Sequence, residues 1–193
     1  MITPKHYRRA VTLTLIAVVI TGCSTSKTQT AAVPWQQKLT QSLSVMGHRN
    51  WIVVADSAYP AQSSQAIETI ATGDDHFRVL EVVLKALDKT HHVTPKIYLD
   101  TELKYVPEKD APGIDACRSK LSNLLAGRAI TYTPHIESIQ TLDKTARMYN
   151  VLVLKTSLTL PYTSVFLELD CGYWNPQAEQ NLRTIMKNTL PSP

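Results

Sequence analysis

The 193-residue chain has only three cysteines, Cys23, Cys117 and Cys171, and no C-x-x-C. That excludes a disulfide-dense scaffold and gives a thiol-redox motif no support. Its six glycines form no Gly-rich phosphate loop, and there is no G-x-S-x-G elbow, so neither a P-loop nor an α/β-hydrolase nucleophile is expected. Positive charge is also modest. Of the formal +4, Lys5, Arg8 and Arg9 account for three, leaving about +1 beyond residue 22. With no basic stripe interleaved with aromatics, a nucleic-acid partner is not expected. His91-His92 and Asp74-Asp75-His76 sit at helix ends without the spaced partners of a closed metal site, so no metal is expected.

What is present begins with a targeting segment. Lys5, Arg8 and Arg9 precede an apolar run from Ala10 to Ile20, broken only by Thr12 and Thr14. Eleven residues fall short of the roughly 20 that cross a bilayer as a helix. Ile20-Thr21-Gly22-Cys23 then fits a lipobox: aliphatic, small, small, Cys. Small residues let the backbone lie extended in a peptidase cleft, and the Cys thiol accepts the diacylglycerol. The expectation is a lipoprotein signal peptide over 1–22, lipidation at Cys23 and a small, polar tether over 23–33. Acyl chains contribute about 0.8 kcal/mol per buried methylene, so a triacylated Cys anchors stably. Ser24, where Asp commonly signals inner-membrane retention, favours the outer membrane of a bacterial envelope, facing the periplasm.

Residues 34–193 are expected to form a single domain with a polar C-terminal tail. Pro34-Trp35 opens a helix ending near Met46, with Gly47 as its C-cap. Trp51 to Ala55 (WIVVA) reads as a buried parallel strand ended by Asp56. Ala66 to Ile70 is a second short strand. Asp74-Asp75 caps a helix from His76 to Lys89. Lys96 to Leu99, Ala129 to Tyr132, Val151 to Leu154 and Thr163 to Leu169 read as further strands. Helices span Ile114 to Leu125, then Thr133-Pro134 to about Met148, and the tail from Asn175 is helical up to Lys187. No internal repeat occurs. The alternation predicts a layered α/β/α fold with a largely parallel sheet. Cys117 and Cys171 are left in an oxidising compartment, where a disulfide is permitted, but nothing in the sequence fixes their distance.

In such a sheet, ligands bind beyond the carboxyl ends of strands. Strand ends and neighbouring turns offer four polar candidates: His48 in the turn before WIVVA, Asp56 at its end, His135 at a helix start, and Tyr162 in the LPYTS turn. Each also has an ordinary structural reading as surface histidine, turn former, helix-start residue or packing aromatic.

Taken together, they carry a resemblance. LSVMGHRNWIVVADSAYP (Leu43 to Pro60) resembles the N-terminal motif of the ribose pyranase and fucose mutarotase family, a Gly-His turn, an apolar strand, then Asp-Ala and Pro. TYTPH (Thr131 to His135) resembles that family's strand followed by a sugar-contacting His. PYTSVFL (Pro161 to Leu167) resembles its late Tyr-x-Asn turn and last strand, with Ser164 where the family carries Asn. The resemblance covers about Trp35 to Tyr173.

It implies an RbsD/FucU-like α/β fold with His48 as catalytic proton donor. Asp56, His135, Tyr162 and Ser164 fall at substrate-binding positions. It further implies a monosaccharide such as ribose, fucose or galactose, no cofactor, and a homo-oligomer with interfacial sites. Opening a cyclic hemiacetal needs one proton removed and one delivered, which a His near its own pKa can do. A non-catalytic monosaccharide-binding lipoprotein on the same fold is the alternative. His48 and Asp56 bracket one strand, so their side chains should stand on the order of 20 Å apart; one sugar touches both only if the Gly47 turn folds sharply back or a second chain brings its His48 to the site.

If Cys23 carries the lipid, Cys23→Ser should release the protein from membranes or leave an uncleaved precursor. Unchanged membrane partition with normal cleavage after Gly22 would reject the anchor.

Overall fold

The computed structural model describes residues 33–189. The expected signal peptide, Cys23 and nearly all of the tether lie outside them. Along the chain run α1 (Trp35–Val45), β1 (Trp51–Ala55), β2 (Ile67–Ala71), α2 (His76–Asp88), β3 (Val93–Asp100), a 3-10 turn (Thr101–Lys104), α3 (Ile114–Leu124), β4 (Ile130–Thr133), α4 (His135–Thr145), β5 (Val151–Lys155), β6 (Val165–Cys171) and α5 (Pro176–Thr189).

The six strands form one sheet in the order β2-β5-β1-β6-β3-β4. β1 lies parallel to β5, β2 to β5 and β3 to β4, whereas β6 runs antiparallel to both β1 and β3. The expected α/β fold with a largely parallel sheet is therefore observed. The exception has a simple cause. Only nine residues separate β5 from β6, and a parallel return needs a crossover of a dozen or more.

β1 is buried along its whole length. Ile52 and Val54 face the larger core, which receives Leu39 of α1, Leu80 and Val83 of α2, and Ile114 and Leu121 of α3. Trp51, Val53 and Ala55 face the smaller core, closed by Leu142 of α4. Burial on both faces is why WIVVA is continuously apolar rather than alternating.

Several boundaries differ from expectation for local reasons. α1 ends at Val45 and Met46 is its C-cap, its N–H donating to the Ser42 carbonyl. Gly47 is not the left-handed residue of this turn: that conformation falls on Arg49, at φ 72°. The Gly47 N–H donates to Asn50 Oδ1 at 2.8 Å, which ties the turn without it. β3 begins earlier than expected and runs through Pro95. Pro95 pairs only with Leu169 of β6, because the β4 ladder starts at Ile97, so its missing N–H interrupts no central ladder. Cys117 is buried and Cys171 half-buried, and both are free thiols.

Asp75 caps α2 as the sequence predicts, accepting from the N–H groups of Phe77 and Arg78. The next residue, His76, is fully buried. Its Nδ1 lies 3.1 Å from the Thr156 hydroxyl, which donates to the Ala55 carbonyl. Burial lowers the His76 pKa from 6.5 to about 4, against smaller opposing pulls from Asp75, Asp56 and the Thr163 backbone. The unfolded chain therefore binds a proton that the folded chain refuses. Stability is full above pH 6.5 and is lost as the pH falls towards 4, by about 3 kcal/mol from this one group. Denaturant unfolding at stepped pH should show that loss in the parent and a much flatter profile in His76→Gln. Parallel profiles would reject the assignment.

Candidate functional site

The carboxyl ends of β1, β3 and β4 lie at one end of the sheet, and β6 starts there because it runs the other way. Asp56 follows β1 directly. Its Oδ1 accepts from the Ala58 N–H at 2.8 Å, fixing a tight turn, and its Oδ2 accepts from the Ser164 hydroxyl at 3.1 Å. Ser164 is buried. Its hydroxyl thus orients the carboxylate of the half-exposed Asp56.

Tyr162 stands two residues before Ser164 with φ 57°, a left-handed backbone that bulky side chains rarely adopt. Pro161 followed by a positive-φ residue is the pattern of a type II turn, where glycine is the usual occupant. The turn is held by Thr163, whose hydroxyl donates to the Leu160 carbonyl at 2.8 Å. What the strained backbone achieves is ring placement. Tyr162 packs edge-on against His135, with centroids 5.4 Å apart and an interplanar angle of 82°.

His135 is the first residue of α4. Its backbone N–H is shared by both carboxylate oxygens of Glu102, each at 3.0 Å, and its Nδ1 lies 2.7 Å from Asp100 Oδ2. Asp100 is fully buried, whereas the His135 side chain is 40% exposed. Burial raises the Asp100 carboxyl above its ordinary value, and the contact with His135 pulls it back. Two negative groups beside the start of α4 also suit the positive end of its dipole.

Asp56, Ser164, Tyr162 and His135 thus share one end of the sheet. His48 does not. It sits in the exposed turn before β1, at the opposite end, where it adds slightly to the lowering of the Asp170 pKa that Lys96 dominates. Sequence reasoning missed Asp100 and Glu102. The rule that found Asp56, an acid closing an apolar strand, applies equally to Asp100 after KIYL. Glu102 carried no such pattern.

A groove of about 570 Å³ runs along α4, from Arg49 and Tyr149 to Ser138 and Thr133. It approaches the cluster only through Thr133, which pairs with Asp100, and Ser138. The pairs His91-His92 and Asp74-Asp75-His76 disperse. His92 faces the carbonyls of Leu43 and Met46, Asp75 caps α2, and His76 is internal.

Tyr162→Gly relieves a left-handed backbone cost of about 1 kcal/mol and removes the ring contact, worth a similar amount. Stability should stay within about 1 kcal/mol of the parent by denaturant unfolding. A loss of more than about 2 kcal/mol would show that the ring contact outweighs the backbone strain.

No curated protein matches the chain. The structure of RbsD from Bacillus subtilis complexed with D-ribose is similar at 19% identity and a TM-score of 0.49, covering 68% of this chain and 89% of that one. The fucose mutarotase from Streptococcus pneumoniae in complex with L-fucose is similar at 20% identity and a TM-score of 0.49, covering 72% of this chain and 96% of that one. Residues 35–171 match the profile of the RbsD / FucU transport protein family. That match takes in every element from α1 to β6, the four clustered residues and His48, and the chain belongs to the RbsD / FucU transport protein family.

Proposed function

We propose that this protein is a lipid-anchored mutarotase or pyranase that interconverts cyclic forms of a monosaccharide by histidine acid–base catalysis, at a site completed by a second copy of the chain. The observation that carries the reading is the division of the machinery. Asp56, Tyr162 and His135 sit together at the carboxyl ends of the strands, and His48 stands exposed at the other end of β1. An extended strand rises about 3.3 Å per residue, which puts the two ends beyond the reach of a single sugar. A symmetric oligomer brings His48 of one subunit to Asp56, His135 and Tyr162 of its neighbour.

The chemistry suits these groups. Asp56, already oriented by Ser164 and the Ala58 N–H, accepts hydrogen bonds from sugar hydroxyls. The exposed ring of Tyr162 offers an apolar face and one hydroxyl. His48 delivers a proton to the ring oxygen as the hemiacetal opens, a contribution of about 10²–10⁴-fold for a positioned acid. Family membership supports a monosaccharide ligand, the lipobox supports lipid attachment at Cys23, and Ser24 favours the outer membrane, facing the periplasm.

One feature favours a second reading, a sugar-binding lipoprotein without turnover. Ser164 stands where the family carries an Asn, so a bidentate amide is replaced by a single hydroxyl, and that hydroxyl is engaged with Asp56.

Saturation-transfer NMR of ribose, fucose and galactose with the soluble domain separates the two, since it sees anomeric exchange directly. Catalysed exchange is expected in the parent and its loss in His48→Ala, with the fold intact. Mixed oligomers of His48→Ala and Asp56→Ala chains should recover part of the activity, because some sites then pair two intact halves. No recovery, or a monomeric mass at micromolar concentration, would reject the shared site. Binding without exchange would establish the second reading.

A further inference from the structure

The proposed reaction leaves one buried carboxylate without a task. Asp100 closes β3, is fully buried, and holds its Oδ2 2.7 Å from Nδ1 of His135. Burying a carboxylate is costly unless it is paired and hydrogen-bonded. Helix capping does not account for it, because Glu102 already accepts from the His135 N–H with both its oxygens. What Asp100 fixes is the imidazole itself. One ring nitrogen points inward to the carboxylate, the Tyr162 edge contact limits rotation, and Nε2 makes no hydrogen bond among the described residues. The exposed 40% of the side chain leaves that nitrogen accessible from the site.

We infer that Asp100 is the positioning residue that makes His135 a second proton-transfer group, presenting Nε2 to the sugar as the base that complements His48. The inference rests on the monosaccharide reading of the site and adds a division of labour to it. Neutral His135 donates its Nδ1–H to Asp100, so Nε2 carries the lone pair. Nε2 takes the proton of the anomeric hydroxyl, and the electrons of that O–H bond become the second bond of the carbonyl. The bond between the anomeric carbon and the ring oxygen breaks, its electron pair stays on the ring oxygen, and that oxygen takes a proton from protonated His48 of the neighbouring subunit. Asp100 then stabilises the imidazolium left on His135. Re-closure on either face of the carbonyl returns both protons. No oxidant, reductant or further reactant enters. The groups meeting His135 are Asp100 from β3, Glu102 from the 3-10 turn and Tyr162 from the turn before β6.

Nitrogen-15 NMR of the histidines, with saturation-transfer exchange measured on the same samples, tests this. In the parent at neutral pH, His135 should be the Nδ1–H tautomer. In Asp100→Asn, anomeric exchange should fall at least about tenfold, with sugar affinity within about threefold and an altered His135 tautomer balance. His135→Gln, whose side-chain amide can still donate to Asp100, should lose exchange while sugar binding weakens but stays measurable. An Nε2–H tautomer in the parent, full exchange in Asp100→Asn, or full exchange in His135→Gln would each overturn the inference while leaving the enzyme reading standing. A parent that exchanges none of the sugars removes both together.

Discussion

Burial of β1 on both faces is the constraint from which the rest of this molecule follows. Five consecutive apolar residues can be hidden only if the sheet is covered on both sides, by α1, α2 and α3 on one and α4 on the other. Covering both sides of a mostly parallel sheet places the turn residues at its two ends. The polar residues that bracket WIVVA therefore emerge at opposite poles, and the separation of His48 from Asp56 is a consequence of core packing rather than of any choice about catalysis. The strained turn at Tyr162 depends on the same frame. A left-handed tyrosine persists because β6 starts three residues after it and is locked against β1 and β3.

Much of this was legible in the sequence because it is written in short-range chemistry. WIVVA and VLVL announce buried strands by being apolar without alternation. Asp75 caps α2 through bonds to residues two and three positions on. Asp56 was found because an acid after an apolar run has nowhere to go but the strand end. His135 and Tyr162 were reached from the same strand-end and turn positions, and the family motifs gave them a role that depends on residues far along the chain.

What stayed hidden has long-range causes. The antiparallel sense of β6 depends on a connector length and on which edges remain free, and no residue in the strand itself records it. Asp100 is separated by 35 residues from His135, so its task becomes visible only when β3 and β4 align. The pairing of the Ser164 hydroxyl with Asp56 joins residues 108 positions apart, which no local pattern records. The left-handed position fell on Arg49 rather than Gly47 because Asn50 ties the turn from within. Glycine allows that conformation but does not command it.

The β1–β5 pairing has a consequence for how the chain reaches this structure. Trp51 pairs with Val151, 100 positions along the chain, and the other neighbour of β1, β6, is more distant still in sequence. Loop-closure entropy must be met before either contact forms, so folding is expected to be slow relative to proteins built from local pairs. Until the last third of the domain has been synthesised, WIVVA has neither of its partners and is a bare, flat, apolar strand. Such a strand is a template for pairing with other chains. The most sheltered segment of the finished molecule is thus its most exposed liability while the chain is incomplete.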